Sequence, residues 1–310
     1  MVNIPPAPVG PLLKNNVVRV FLTMRHFTIV GDALFFSAQE FRGRELWKSD
    51  GTAAGTVRVK DINLGPRDSD PRELTAVADT LYFTADDGEN GRELWKSDGT
   101  EIGTVLVRDI RPGRTTSQPN SLTAAGHRLF CSANDGLSGS ELWMSDDTAA
   151  GTRMVADINA GSHSSTPKQL TFVAGELVFT ASTEETGREL WSIDVTTERS
   201  QLVADFVTGP DSGFEFLDGF AKVEIVNHGG TVYLTATDGQ TGGELWVIPR
   251  QGTLPGDIDQ DGDVDFGDFL ILSASFSKTV PPGTSGDFDD DGIVGFSDFL
   301  VLSANFGKRR

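Results

Sequence analysis

Residues 91–110 read GRELWKSDGTEIGTVLVRDI, and residues 43–62 read GRELWKSDGTAAGTVRVKDI. The tripeptide Glu-Leu-Trp recurs further along the chain and holds every tryptophan in it: Trp47, Trp95, Trp143, Trp191 and Trp246. The first three intervals are 48 residues each and the last is 55. A period of this length, kept this faithfully, marks stacked supersecondary units. It also weakens most enzyme readings. A catalytic constellation is usually asymmetric, whereas a repeat sets the same residues in the same place each time.

One unit spans residues 74–110. Leu74–Val77 is apolar, Leu81–Ala85 is β-rich, the loop 86–91 leads to Glu93–Ser97, and Asp98-Gly99-Thr100 turns the chain into Thr104–Ile110. Four short β-rich runs joined by Gly/Asp turns describe an antiparallel meander. Four strands in each 40–50-residue repeat imply a propeller blade. The sequence therefore predicts an all-β, five-bladed β-propeller with four-stranded blades over residues 15–250, after a Pro-rich segment 1–14. The fifth unit stops at Glu244-Leu245-Trp246, and Val17–Leu22 is an orphan strand. Strand exchange between the termini would close the ring and remove an open edge.

At this point residues 43–62 and 91–110 resemble the ELWxxDGT repeat of bacterial secreted and surface proteins. The resemblance covers roughly residues 27–248. The third copy departs with Asp146-Asp147-Thr148 and the fourth with Asp194-Val195-Thr196. The resemblance implies architecture and an extracellular or cell-surface setting more than any chemistry.

The chain has 310 residues and a formal charge of −19. That argues against nucleic acid, whose phosphates need Lys and Arg to displace counterions. No apolar run approaches the ~20 residues of a membrane span. Residues 1–11 show neither the basic nor the apolar part of a signal peptide. Cys131 stands where Phe83 and Phe179 stand in other copies, so it reads as a small buried hydrophobe. His26, His127, His163 and His228 share no repeat position and no metal spacing.

Each repeated residue has a structural reading. The tryptophans are expected to pack between blades. The repeated Glu45, Glu93, Glu141, Glu189 and Glu244 stand beside a buried ring. Backbone N–H groups or a neighbouring Arg should satisfy them, more readily than a metal would. Asp-Gly-Thr is turn chemistry. The long loops 63–71, 111–119 and 159–167 share a face with loop 86–91, and ligand-binding residues belong on such loops. The seven extra residues of the last interval fall in 207–220. There Phe214 and Phe216 either stack on a sugar as ligand-face residues or pack down as a cap, and the cap is the stronger reading.

After a linker at 251–256, residues 257–310 hold 11 Asp against 4 Lys and Arg. Residues 257–268 and 287–298 both fit the ruler of a calcium loop: acids at positions 1, 3, 5 and 12, with Gly at 6. Each loop precedes a similar apolar-faced run, 269–278 and 299–308. Hard oxygen donors favour Ca²⁺ over Zn²⁺. The duplicated loop-helix pattern resembles a type I dockerin over residues 256–308, which implies a small all-α, paired EF-hand domain. The resemblance implies two Ca²⁺ sites. The first uses Asp257, Asp259, Asp261, Asp263 (backbone), Asp265 and Asp268. The second uses Asp287, Asp289, Asp291, Ile293 (backbone) and Asp298. Gly295 offers no side chain there, so the second site should be the weaker. The resemblance also implies a partner, a cohesin-like protein or a cell-surface component, met through Phe266, Gly267, Phe296 and Ser297.

The functional expectation is a secreted or cell-surface, non-enzymatic binding or adhesion protein. Its propeller would present a ligand face, with glycan as a candidate ligand. A tethered carbohydrate-active enzyme and a multivalent lectin are the alternatives.

Overall fold

The computed structural model describes residues 23–214, 224–228, 231–248, 256–259, 264–280, 286–288 and 292–308. They form five separate antiparallel sheets and two short helices. Sheet one is β1 (Met24–Val30), β2 (Ala33–Glu40), β3 (Gly43–Ser49) and β4 (Val57–Lys60). Sheet two is β5 (Arg72–Val77), β6 (Thr80–Asp86), β7 (Arg92–Ser97) and β8 (Val105–Arg108). Sheet three is β9 (Asn120–Ala125), β10 (Arg128–Asn134), β11 (Ser140–Ser145) and β12 (Arg153–Ala156). Sheet four is β13 (Lys168–Val173), β14 (Glu176–Thr183), β15 (Gly187–Asp194) and β16 (Ser200–Ala204). Sheet five has three strands, β17 (Ile225–His228), β18 (Thr231–Thr237) and β19 (Gly243–Ile248). Every sheet is a simple meander, as the Gly/Asp turn spacing dictates.

First strands lie beside first strands: β1 against β5, β5 against β9, β9 against β13. A repeated threonine ties them. The hydroxyls of Thr28, Thr75 and Thr123 donate to the carbonyls of Leu74, Leu122 and Leu170 at 2.7, 3.3 and 3.4 Å. Thr171 does the same to Ile225 at 3.3 Å. Sheets one to four therefore follow one another in a propeller-like succession. The second strands are covered on both sides. This is why β6 (TLYFTAD) is buried from Leu81 to Ala85 instead of alternating.

Trp95, Trp143 and Trp191 fill seams between sheets, while Trp47 packs with Leu34, Phe36 and Ala38 of its own sheet. Trp95 packs with Phe35, Leu46 and Val59 of sheet one, Ile62 just beyond it, and Leu81 and Phe83 of its own sheet. Trp143 packs against Tyr82, Leu94 and Val107 of sheet two and Ile110 just beyond it. Cys131 lies in the same cluster, 2% exposed, and burial pushes its thiol up to about 12. That makes it core rather than nucleophile.

The Ser-Asp-Gly-Thr turn is a closed hydrogen-bond set. Asp98 Oδ1 accepts from Thr100 N and Oγ1, and Thr100 Oγ1 accepts from Gly103 N. Thr104 Oγ1 donates to Thr100 O and lies 2.7 Å from Ser97 Oγ. Gly103 has to be glycine, since a Cβ would come 2.1 Å from Asp98 Oδ1. Copies one and three repeat these bonds at residues 49–56 and 145–152.

The described residues gather into two compact units. The first holds those up to Val226 together with Leu234–Trp246, and the second holds Asn227–Tyr233 and those from Val247 onward. The all-α, paired EF-hand domain expected over residues 257–310 does not form. Each acidic loop is followed by one ten-residue helix, α1 (Phe266–Ser275) and α2 (Phe296–Asn305), and no other helix is present among the described residues. Pro255-Gly256 and Pro281-Pro282-Gly283 stand just before the loops. An incoming helix would need amides there that proline lacks. Val264, Leu272, Val294 and Leu302 make the small core beneath the two helices. The expected closing strand 17–22 and linker residues 251–255 lie outside the described residues.

The seam account has a direct consequence. Trp95→Ala empties the space between sheets one and two and should cost about 3–5 kcal/mol, the range for truncating a buried aromatic. Chemical denaturation with a fixed m-value checks it, and a loss below about 1 kcal/mol would contradict the packing described.

Candidate functional site

The repeated glutamate decides the shape of the loop face. Glu45, Glu93, Glu141 and Glu189 are fully buried. Glu45 accepts from the amides of Ile62 and Ser69 at 2.9 and 3.2 Å and from Ser69 Oγ at 2.6 Å. Glu93 accepts likewise from Ile110 N, Ser117 N and Ser117 Oγ at 3.0, 2.9 and 2.5 Å. Glu141 repeats the pattern with Ile158 and Ser165. Glu189 takes the amides of Phe206 and Gly213. Glu244 is only partly buried and makes no such clasp among the described residues. The clasped serine also reaches forward. Ser69 O accepts from Asp86 N, Ser117 O from Asn134 N, and Ser165 O from Ser182 N. One residue thus joins the third strand of one sheet to the second strand of the next.

These clasps pin the long loops 63–71, 111–119 and 159–167 on one face. Loop 86–91 meets them there, since a Cβ on Gly91 would lie 2.9 Å from Arg114 O. Two clefts open on this face. One, of about 510 Å³, is lined by Arg72, Arg92, Arg114, Asp86 and Gln118. The other, of about 330 Å³, is lined by Arg111, Asn134, Ser140 and Thr166. Thr116, Gln118 and Asn120 line both. In the first cleft Asp70 holds Arg72 and Arg92 through one carboxylate oxygen, at 2.5 and 3.2 Å. Asp86 there accepts from Gly88 N at 2.7 Å. Arg111 and Arg114 make no ion pair among the described residues.

The second cleft differs from the first by one departure from the repeat. Copies one, two and four carry Arg44, Arg92 and Arg188 before the Glu-Leu-Trp, and copy three carries Ser140. Arg92 Nη1 donates to the carbonyls of Asp70 and Thr84. Arg188 Nη1 does so to Thr166 and Thr180. The Ser140 side chain pairs with Ser132, hydroxyl to hydroxyl at 2.9 Å, and carries no charge. Neither Ser140 nor Arg111 was among the residues singled out from sequence. The signal was available in the repeat columns, where Asn63 and Asn159 occupy the place of Arg111.

Phe214, one of the sequence-derived ligand-face residues, lines neither cleft. Phe214 is 3% exposed, with its ring edge-on to Phe206 at 5.4 Å, and Phe206 in turn packs on Trp246 at 4.8 Å. A buried ring offers no face to a sugar, so Phe214 as a ligand-face residue is corrected to core. Phe216 lies outside the described residues.

In the C-terminal unit, the carboxylate oxygens of Asp257, Asp259 and Asp268 lie within 4.8 Å of one another. Asp257 is 4% exposed and Asp268 is fully buried. Asp268 Oδ1 accepts from Ile258 N and Asp259 N, and its Oδ2 from Asp265 N. Asp265 Oδ1 caps α1 at Gly267 N. The second loop repeats this with Asp298, which accepts from Phe288 N and Gly295 N. Asp287 is 2% exposed, and its Oδ1 has no donor among the described residues. Ile293 pairs in an isolated bridge with Thr279. Asp261, Asp263, Asp289 and Asp291 lie outside the described residues. Phe266 and Phe296 are exposed, 62% and 66%, and stack on Phe269 and Phe299. Gly267 and Ser297 stand next to them in the first turns of the helices. No helix among the described residues is long and apolar enough to cross a membrane.

No family model and no curated protein sequence matches the chain. Solved structures similar to it include a puromycin-hydrolyzing peptidase of Mycobacterium tuberculosis, 12% identical, covering 80% of this chain and 40% of that one with a TM-score of 0.46. A puromycin hydrolase S511A mutant complexed with PGG is 16% identical over 69% of this chain and 33% of that one, at 0.44. TolB from Acinetobacter baumannii is 11% identical over 71% and 52%, at 0.35. The chain thus spans a third to a half of the length of these proteins. At such scores the likenesses carry no argument about activity.

Burial pushes the carboxyls of Glu45 and Glu93 up from 4.5 to about 7, against the pull of their serine and amide donors. Burial raises Glu141 and Glu189 as well. A carboxyl raised on folding stabilises the fold fully below its unfolded value, and that contribution is lost as pH rises through the folded value. Melting temperature should therefore fall as pH rises from 4.5 to about 7. The turn aspartates Asp50, Asp98 and Asp146, lowered by hydrogen bonds from threonine, act below 3.8 and outside this window. Glu93→Gln, neutral throughout, should lose less over the same window than the parent. Melting temperatures that rise with pH across it would contradict the assignment.

Proposed function

We propose that this is a secreted or cell-surface, non-enzymatic binding protein. The repeated sheets present a ligand on the long-loop face, and the C-terminal acidic loops bind two Ca²⁺ and attach the protein to a cohesin-like partner. The observation that carries this reading is the use made of the carboxylates. In the repeats they are spent on backbone donors that hold the loops. In the C-terminal unit they converge. Three oxygens within 4.8 Å of one another suit a single Ca²⁺, whose ligands stand about 2.3–2.6 Å from the ion. Asp287 is buried with Oδ2 on Gly292 N and Oδ1 without a donor among the described residues, and a cation would satisfy that oxygen. The residues fit, and Ca²⁺ held there would neutralise loops that otherwise repel themselves.

The exposed Phe266 and Phe296 support the partner reading. Each stands in the first turn of a helix, with Leu270 and Leu300, both 52% exposed, one turn further on. Apolar side chains so arranged form a patch that a partner would cover.

Calorimetric titration of Ca²⁺ into the chelator-treated full chain tests the cation sites. Two sites are expected, the loop with Gly295 the weaker, and Asp257→Asn should leave one. No uptake by the parent chain, or unchanged stoichiometry in the variant, would overturn the reading.

A further inference from the structure

We propose that sheet three carries a binding site for an oligosaccharide bearing uronate carboxylates. The inference rests on the proposed ligand face and gives it a ligand class. Three departures from the repeat converge there. Ser140 stands where the other four-stranded sheets carry Arg44, Arg92 and Arg188, and it lines a cleft of about 330 Å³. Arg111 stands where copies one, three and four carry Asn63, Asn159 and Val207. Arg114 stands where they carry Pro66, Ser162 and Pro210. The guanidinium absent from the strand is replaced by two on the loop above it.

The placement of Arg111 is fixed by its neighbours. A Cβ on Gly136 would lie 2.8 Å from Arg111 Nε, so the side chain runs against the sheet-three hairpin and over the cleft. Arg111 is the only charged residue lining that cleft, and the rest of the lining is hydroxyl and amide, from Thr116, Gln118, Asn134, Ser140 and Thr166 among others. An unpaired guanidinium matches a carboxylate in a planar, two-bond geometry. A wall of hydroxyl and amide groups matches sugar hydroxyls and has nothing to offer an apolar peptide side chain.

The neighbouring cleft of about 510 Å³ extends the site, because Thr116, Gln118 and Asn120 line both. Its acids matter for the charge balance. Asp70, outside the lining, is committed to Arg72 and Arg92, Asp86 is committed to its own turn, and Glu73 also lines the cleft. Arg114 remains for a second carboxylate further along the chain of sugars. The clefts are also an island in a chain of formal charge −19, so carboxylate ligands should be held here and repelled elsewhere.

The test is calorimetric titration of the full chain with uronate oligosaccharides (hyaluronan, oligogalacturonate and oligomannuronate), with chitin oligosaccharides as neutral and heparin oligosaccharides as sulfated comparators. At least one uronate oligosaccharide should bind in preference to both comparators. Arg111→Ala should weaken it at least about tenfold, the loss of one charge-assisted pair. Ser140→Arg restores the residue that three other sheets carry, so it should melt no lower than the parent while weakening binding to the same degree. Undiminished binding by a folded Ser140→Arg protein overturns the site. Equal binding of the chitin comparator overturns the carboxylate assignment and leaves the ligand-face reading standing, and preference for the sulfated comparator does the same. Binding of no saccharide overturns the inference, while the Ca²⁺ titration separately decides the rest of the proposed function.

Discussion

A buried carboxylate with three donors is the constraint on which this fold depends. Glu93 sits in a strand, yet its partners Ile110 and Ser117 lie 17 and 24 residues further on, beyond the end of the sheet. Without it the amides of a long irregular loop would be buried unpaired, at about 1–3 kcal/mol for each. With it the loop has one conformation. The same serine then passes its carbonyl to the next sheet. The chain thus couples one meander to the next by hydrogen bonds, and the tryptophan beside the glutamate fills the seam so created. The Glu and Trp of Glu-Leu-Trp act together, the first tying the crossing loop and the second filling the gap between sheets.

Much of the architecture was legible from the period alone. The strand count per unit, the turn at Ser-Asp-Gly-Thr, the tryptophan seams and the loop face all follow from residue chemistry that acts over a few positions. Two things were less so. The glutamate partners were foreseeable as backbone amides but not as these amides, because a contact 24 residues away depends on how the crossing loop folds. Phe214 was open to two readings from sequence, since Gly and acidic neighbours look the same around a surface aromatic and around one that turns inward. The helical domain differs from the expectation for a local reason: an acidic ruler specifies a loop and says nothing about whether a helix precedes it.

The site was harder to see than the fold because it consists of departures. A repeat draws attention to what recurs, and the cleft of sheet three is set apart by what does not recur, Ser140 and Arg111. Repetition supplies a rigid face, and the two substitutions give one part of it a shape and charge of its own. The C-terminal loops follow a different logic. There the carboxylates are near one another, and Asp268 and Asp298 each organise a loop and start a helix from the same two oxygens.

The clasp is the central claim, and amide hydrogen exchange measures it directly. The amides of Ile62, Ser69, Ile110, Ser117, Ile158 and Ser165 lie in loops outside every strand and each donates to a buried carboxylate, with Ser69 N also reaching Arg44 O of β3. If the buried carboxylates hold them, they should exchange as slowly as the amides of the neighbouring third strands, and Glu93→Ala should release those of Ile110 and Ser117 selectively. Exchange of all six at the rate of open loops would contradict the account.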